Sequence, residues 1–229
     1  FVPLDELYEG DETSRPMRIG FKNVYTFYTY RNLFLLSSFL EEVETDIWLK
    51  NFLHGSVLPK ITKMNRYMPQ HGSRALVGPM ANALSFPPMY VENNVLKQFE
   101  FQLKKIVKAL NDINGGVIST QSSNDIKISD NSIDYIFLDP PFGANIAYSE
   151  LSYARECWLK LKTNNKNEVI QNTSQGKELA DYTKLMVECL KEAFRILKPG
   201  KWITIEFSNT HSSVWNAIQY YELKKVIVR

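Results

Sequence analysis

Asp134-Tyr135-Ile136-Phe137-Leu138-Asp139-Pro140-Pro141-Phe142 is the stretch on which the fold turns. The apolar run Asp134 to Leu138 reads as a buried strand. Neither proline carries an N–H, so a central ladder cannot continue through them and the strand must stop at Leu138. A carboxylate, a rigid bend and an aromatic ring are thereby placed together at a strand's carboxyl end, the edge where open α/β sheets bind ligands. One acceptor, free carbonyls and one ring face suit a flat base bearing an exocyclic amine.

Working outward, helix and strand alternate. Val117-Ile118-Ser119-Thr120 is a short strand candidate, and Asp130-Asn131-Ser132 a turn. Ala147 to Leu161 reads as a helix with Tyr148, Leu151, Trp158 and Leu159 inward, and 162–176 as a polar, mobile loop. Glu178 to Leu197 carries Tyr182, Met186, Cys189, Leu190, Ala193, Phe194 and Leu197 on one helical stripe, and Lys198-Pro199-Gly200 stops it. Trp202 to Phe207 is a further strand, Ser212 to Tyr221 a helix and Val226 to Val228 a last strand. Such alternation implies βαβ units and a mainly parallel α/β sheet.

Upstream, the first ~20 residues are polar and expected to be irregular. Thr29 is placed to cap a helix over Arg31 to Val43, with Leu33, Leu36, Leu40 and Val43 at helical spacing. Trp48, Phe52 and Leu53 continue it or begin another. Pro59 to Pro88 lacks a clean period and reads as an insertion of loops or short strands outside the core. Glu92 to Asp112 reads as a helix with Val95, Phe99, Leu103, Ile106 and Leu110 on one face, ended by Asn114-Gly115-Gly116. Residues 1–115 thus form an N-terminal helical and basic insertion region, and 116–229 an α/β region.

The 229 residues suffice for one good core with a smaller lobe. A composition 44% hydrophobic and 23% charged is that of an ordinary globular protein. Two cysteines, Cys157 and Cys189, argue against a disulfide scaffold and fit a reducing, cytoplasmic compartment. No apolar run approaches the ~20 residues of a membrane span, and the start carries no signal-peptide pattern. The three His residues do not cluster with Cys or acids at ligand spacing, so no metal site is expected. Net charge is only +2, but no acidic residue occurs between Asp46 and Glu92, where Lys60, Lys63, Arg66 and Arg74 interleave with aromatic and Met residues. Such a local field can neutralise nucleic-acid phosphates; a solvated basic surface is the plainer alternative.

Methyl transfer to an exocyclic amine fits the tetrapeptide. That nitrogen's lone pair is delocalised into the base, and two acceptors on its hydrogens favour a pyramidal, more nucleophilic atom. The Asp139 carboxylate and the Pro140 carbonyl are the two acceptors, positioned to meet the positive charge that develops on the nitrogen. The Phe142 ring is the stacking platform for a base flipped out of its duplex, with Pro141 completing the bend.

Asp139-Pro140-Pro141-Phe142, with Asn131 to Ile136 before it, resembles the catalytic motif of S-adenosylmethionine-dependent amino-methyltransferases acting on DNA. Glu192-Ala193-Phe194-Arg195-Ile196-Leu197-Lys198-Pro199-Gly200 resembles the helix-to-strand turn of the same class I, Rossmann-like fold. Asp139 to Leu151, Phe27-Tyr28-Thr29-Tyr30-Arg31-Asn32-Leu33, Glu206-Phe207-Ser208-Asn209 and Val214 to Ile218 are similar to bacterial adenine-specific DNA methylases. An Asp-Pro-Pro-aromatic string arises by chance in roughly one chain of this size in several hundred. The resemblance implies S-adenosylmethionine as cofactor, DNA as partner, and adenine N6 rather than cytosine N4 as target, since Asp stands at the first position. It places cofactor contacts at Asp139 and at Thr120, Gln121 and Ser122, for which an ordinary polar turn is the alternative. Asn145 and Tyr148 become candidates for the base pocket. Glu206 ends a strand on the same sheet edge, where a carboxylate buried without a partner is costly, which makes it a candidate functional residue; a solvated or salt-bridged carboxylate is the alternative. Lys60, Lys63, Arg66 and Arg74 become DNA contacts.

One departure stands out. The family holds the cofactor's methionine part in a glycine-rich loop after its first strand, and no Gly-x-Gly occurs in this chain. Together with a start lacking Met and a helix-to-strand passage at Tyr221-Glu222-Leu223 without a turn residue, this suggests a fragment of a longer methylase, or a partner subunit that supplies the missing strands. An RNA guanine-N2 methyltransferase, whose tetrapeptide can be similar, and a non-catalytic nucleic-acid-binding module are the alternatives.

Overall fold

The computed structural model describes residues 1–69, 78–111, 115–144, 146–209, 212 and 215–216. The chain divides into two compact units: 1–116 with 148–163, and 117–147 with 164–229. The sequence-based division at 115/116 placed 148–163 in the second region, whereas these residues pack with the first. Their buried positions explain it. Tyr153, Cys157 and Trp158 join the core of the first unit, while the expected inward residues Tyr148 and Leu159 lie exposed.

The first unit is helical. Its elements are α1 (Ser14–Arg18), α2 (Tyr30–Glu42), α3 (Ile47–Ile61), α4 (Val95–Asn111) and α5 (Tyr148–Trp158). Thr29 caps α2, its hydroxyl accepting from the Asn32 N–H, and Asp46 caps α3 by accepting from Trp48 and Leu49. Helix α3 packs on α2 and α4, with Leu36, Val57, Ile61 and Val95 at its centre. Two expected apolar positions of α4, Leu103 and Leu110, are exposed instead.

The 59–88 segment is not the separate insertion its composition suggested. Pro59 to Ile61 finish α3, and Thr62, Met64, Asn65 and Leu84 are buried. The cause is the end of α3, whose last carbonyls have no intrahelical partner. Three buried asparagine amides supply them: Asn65 donates to Pro59 O at 3.0 Å, Asn93 to Lys60 O at 2.6 Å and Asn32 to Ile61 O at 3.1 Å. The segment is thus bound to the helix it follows.

Glu150 is the other polar anchor of this unit. It is fully buried, and its carboxylate accepts from the N–H groups of Asp11, Glu12 and Thr13 and from the Thr13 hydroxyl, at 2.7–3.2 Å. Tyr153 donates to Glu6 O from the same helix. The polar N-terminal stretch is mostly irregular, as its composition predicts, apart from α1 and one isolated bridge, and Glu150 and Tyr153 anchor it.

The second unit is mixed α/β. β1 (Ile133–Leu138) and β2 (Leu197–Ile205) form a parallel pair, with Tyr135, Ile136, Phe137 and Leu138 opposite Trp202, Ile203, Thr204 and Ile205. α6 (Leu179–Ile196) precedes β2 and packs on it. It closes on Glu178 and Asp181 in a capping box. Tyr182, Met186 and Leu190 pack with Leu138, Ile205 and Phe207 on one sheet face. The opposite face carries Tyr135, Phe137 and Trp202, each more than half exposed.

Lys198-Pro199-Gly200 ends α6 as expected but lies inside β2, where the register slips between Ile133 and Tyr135. Proline's missing N–H and the positive φ of Gly200 (+74°) suit a bulge. Arg195 ties the approach to β1 onto α6, donating to the carbonyls of Ile126 and Ile128 at 2.8 and 2.9 Å and pairing with Glu192 and Asp130. The Arg195 guanidinium holds the Glu192 carboxyl down at about 2.

Val117 to Thr120 forms no strand. Val117 and Ile118 are almost wholly exposed, at 99% and 98%, and among the described residues no strand pairs with them. The 162–176 segment holds two short 3-10 turns, Asn165–Asn167 and Thr173–Gln175, and Lys177 Nζ fastens it through the carbonyls of Asn165 and Glu168. The expected helix over 212–221 and strand over 226–228 fall largely or wholly outside the described residues. No helix among the described residues is long and apolar enough to cross a membrane.

Candidate functional site

The parallel register brings two chain ends to one edge. Leu138 lies opposite Ile205, and the Glu206 N–H donates to Leu138 O at 2.8 Å, so Asp139 and Glu206 leave the sheet side by side. Beyond Leu138 the prolines end the ladder. Asp139 is exposed, and among the described residues no donor reaches its carboxylate or the Pro140 carbonyl. Glu206 is exposed as well, which removes the desolvation argument that singled it out.

The next two carbonyls are held. Pro141 O accepts from the Tyr182 hydroxyl at 2.7 Å, and Phe142 O from Asn209 Nδ2 at 2.5 Å. Gly143 then takes φ +93°, and a Cβ there would stand 3.0 Å from Asn209 Nδ2. Glycine is required at this point for both reasons. The Gly143 carbonyl accepts from the Gln171 N–H at 3.2 Å. Tyr182 and Gly143 were not anticipated as site residues. Tyr182 sat on the apolar stripe of α6, and its hydroxyl, which needs a partner once buried, was the available signal.

The Phe142 ring stands edge-to-face on Phe207 at 5.4 Å and 83°, and Phe207 on Trp215 at 4.9 Å and 87°. Trp215 Nε1 donates to Asn209 O at 2.7 Å, closing a loop of contacts behind the turn. The turn is thus fixed from the sheet side, leaving a carboxylate, a carbonyl and a half-buried ring at the strand end. Such a set can accept two hydrogens from a planar amine and stack on its ring system.

Thr120, Gln121 and Ser122 lie in exposed chain rather than behind a strand. Gln121 accepts from the Lys127 N–H at 2.9 Å, and Ser122 donates to Asn124, whose amide donates to Glu188. Among the described residues no glycine-rich loop follows a strand, and Gly115 and Gly116 meet nothing within 4 Å. These residues build no cradle for the methionine part of S-adenosylmethionine.

Tyr148, at the start of α5, and Lys60, Lys63 and Arg66 belong to the first unit. Asn145 and Arg74 lie outside the described residues. Among the described residues none of Lys60, Lys63 and Arg66 pairs with a carboxylate. Lys63 Nζ donates to Thr26 O at 2.9 Å, and Arg66 Nε to Gly78 O at 3.4 Å. No group of three His, Cys, Asp or Glu side chains among the described residues is arranged to hold a metal.

No protein-family model, no curated protein and no solved structure matches this chain.

Proposed function

We propose that this chain carries the base-binding, chemical half of a DNA amino-methyltransferase of the class I, Rossmann-like kind, with adenine N6 as the acceptor and S-adenosylmethionine as the methyl donor. The observation that carries the reading is the turn itself: among the described residues no donor reaches Asp139 or the Pro140 carbonyl at the end of a parallel strand pair, while the carbonyls of Pro141 and Phe142 are held by Tyr182 and Asn209.

In this reading Asp139 and Pro140 O accept the two amine hydrogens of an extruded base, and the Phe142 ring stacks on it. Extrusion costs a few kcal/mol, and stacking returns about 1–3 kcal/mol. Both acceptors are in place before the base arrives, so the charge that develops on the amine meets them without reorganisation. The proton leaves after the new bond forms, so no strong base is needed. Lys60, Lys63 and Arg66, with no carboxylate beside them, neutralise DNA phosphates.

Because the described residues provide no cradle for the cofactor, donor binding falls to residues elsewhere in the same polypeptide or in a partner subunit. That same observation favours a second reading, a nucleic-acid-binding module without activity of its own. Labelled methyl transfer to DNA and to RNA, with wild type and Asp139→Ala, tests the first. Asp139→Ala is expected to abolish transfer with the fold retained, and unchanged transfer by that variant refutes the proposed chemistry. Calorimetry with S-adenosylmethionine separates the readings, since clear binding argues against a purely structural role.

A further inference from the structure

The first unit contains a cavity of about 280 Å³ that the chemical step does not use, walled by Tyr25, Tyr28, Tyr30 and Tyr90 with Lys63 among them. Its volume lies just below the roughly 300–1,000 Å³ of drug-sized ligand sites, which limits it to one nucleotide-sized group.

Its walls differ in character. Tyr28 is 3% exposed, its hydroxyl takes the Trp158 Nε1 proton at 3.1 Å, and burial pushes its phenol well up, so it stays neutral and fixed. Tyr30 and Tyr90 stand at the rim, 88% and 43% exposed. Lys63 is held from both ends. Its N–H donates to Phe27 O at 2.8 Å, and its ammonium to Thr26 O at 2.9 Å, with the Phe21 ring at 5.5 Å. That ammonium has three donors and spends one on a carbonyl, and among the described residues it has no carboxylate partner.

Nearby charge does not cancel it. Glu92 accepts from the Thr29 hydroxyl at 2.6 Å but is paired with Arg31 at 3.0 Å. Arg66 forms a backbone bridge with Tyr90 at the rim, and its Nε donates to Gly78 O at 3.4 Å. An ammonium with donors to spare selects an anion, and exposed ring faces select a flat π-system. A cationic ligand is disfavoured by the first and an aliphatic anion gains nothing from the second.

We propose that this cavity binds one nucleoside phosphate unit, an unpaired base lying against Tyr30 and Tyr90 with its phosphate on Lys63. The inference rests on the nucleic-acid part of the proposed function and is independent of the methyl-transfer step. Two sources share the chemistry: a nucleotide within a strand and a free nucleotide.

The test is a binding titration of the full chain with a short fluorescein-labelled single-stranded oligodeoxynucleotide and, separately, with adenosine monophosphate, repeated across a salt series. Tyr30→Ala, Tyr90→Ala and Lys63→Gln are compared with Lys104→Gln, an exposed control on α4. Each tyrosine change is expected to weaken oligonucleotide binding about tenfold, and Lys63→Gln to lower the salt slope by about one charge, with the control unchanged. Tyr30 is exposed, so its variant reads binding even where Lys63→Gln perturbs the fold. Binding of the mononucleotide alone, lost in the same variants, supports the site with a free nucleotide as its source and counts against the nucleic-acid reading. Oligonucleotide binding that the tyrosine variants leave intact overturns the cavity and spares that reading. Failure of both probes to bind overturns both.

Discussion

The Tyr182 hydroxyl donates to the Pro141 carbonyl at 2.7 Å, joining a fully buried ring of the second unit to the turn that follows β1. Tyr182 is 0% exposed and packs with Met186 and Leu190, so the turn's geometry is set by the core of α6. Tyr182→Phe keeps the ring and removes the donor. It should cost about 1 kcal/mol in denaturant unfolding and speed amide exchange at Phe142 and Gly143. Tyr182→Ala should cost about 3–5 kcal/mol, since it also empties a core site.

Gly143 supports a sharper test. Its φ of +93° is poorly tolerated by any residue with a Cβ, and that atom would crowd Asn209 Nδ2 at 3.0 Å. Gly143→Ala should destabilise by roughly 1–2 kcal/mol and loosen the Asn209 bond to Phe142 O. Urea unfolding of this variant beside Asn209→Ala checks the coupling. Because both changes release the same contact, the double variant should lose less than the two singles added.

Glu150 satisfies three backbone donors and the Thr13 hydroxyl inside the first unit. Glu150→Ala leaves those donors buried without an acceptor and should cost about 3 kcal/mol or more. Gly10→Ala attacks the same contact from the other side, because a Cβ there would overlap the carboxylate. Both variants should release residues 5–20 to proteolysis, and an unchanged cleavage pattern contradicts the anchoring role.

His54 sets a pH dependence. Its ring is 1% exposed, stands against Trp158 and Phe39, bonds the Leu36 backbone, and has Nε2 without a partner among the described residues. Burial lowers its pKa from 6.5 to about 4. The folded state holds the neutral ring, while the unfolded chain protonates near 6.5. Stability is therefore complete above that pH and falls as pH drops from about 6.5 to about 4, by roughly 3 kcal/mol. Thermal melts of wild type and His54→Phe across that range check it. The variant should lose this slope, whatever its stability at neutral pH.

Particular residues show why some elements were legible and others not. Thr29 before an apolar period located α2, because capping and periodicity are local properties. β1, α6 and the stop at Lys198-Pro199-Gly200 were legible for the same reason, although β1 was expected to be buried and instead exposes Asp134, Tyr135 and Phe137, because only one face of its two-stranded sheet is covered by α6. Val117 to Thr120 misled, since a β-branched run becomes a strand only where a neighbour accepts its hydrogen bonds. Leu103 and Leu110 misled similarly: helical spacing names a face but not whether anything covers it. The 59–88 segment hid its role because the end of α3 is satisfied by Asn65 within it and by Asn32 and Asn93 outside it, residues far apart in the chain.

By itself the sequence determined the tetrapeptide's chemistry: a carboxylate, two prolines that must end a strand, and a ring, all within four residues. Only the tertiary structure decided which carbonyl each partner holds, that Leu138 and Ile205 are in register so that Asp139 and Glu206 are direct neighbours on the edge they share, and that α5 packs with the first unit. The physical reason is range. Backbone stiffness, missing donors and capping act over a few residues and are written in composition. Hydrogen bonds such as Tyr182 to Pro141, and burial such as that of Glu150, join residues tens of positions apart, and only folding brings them within reach.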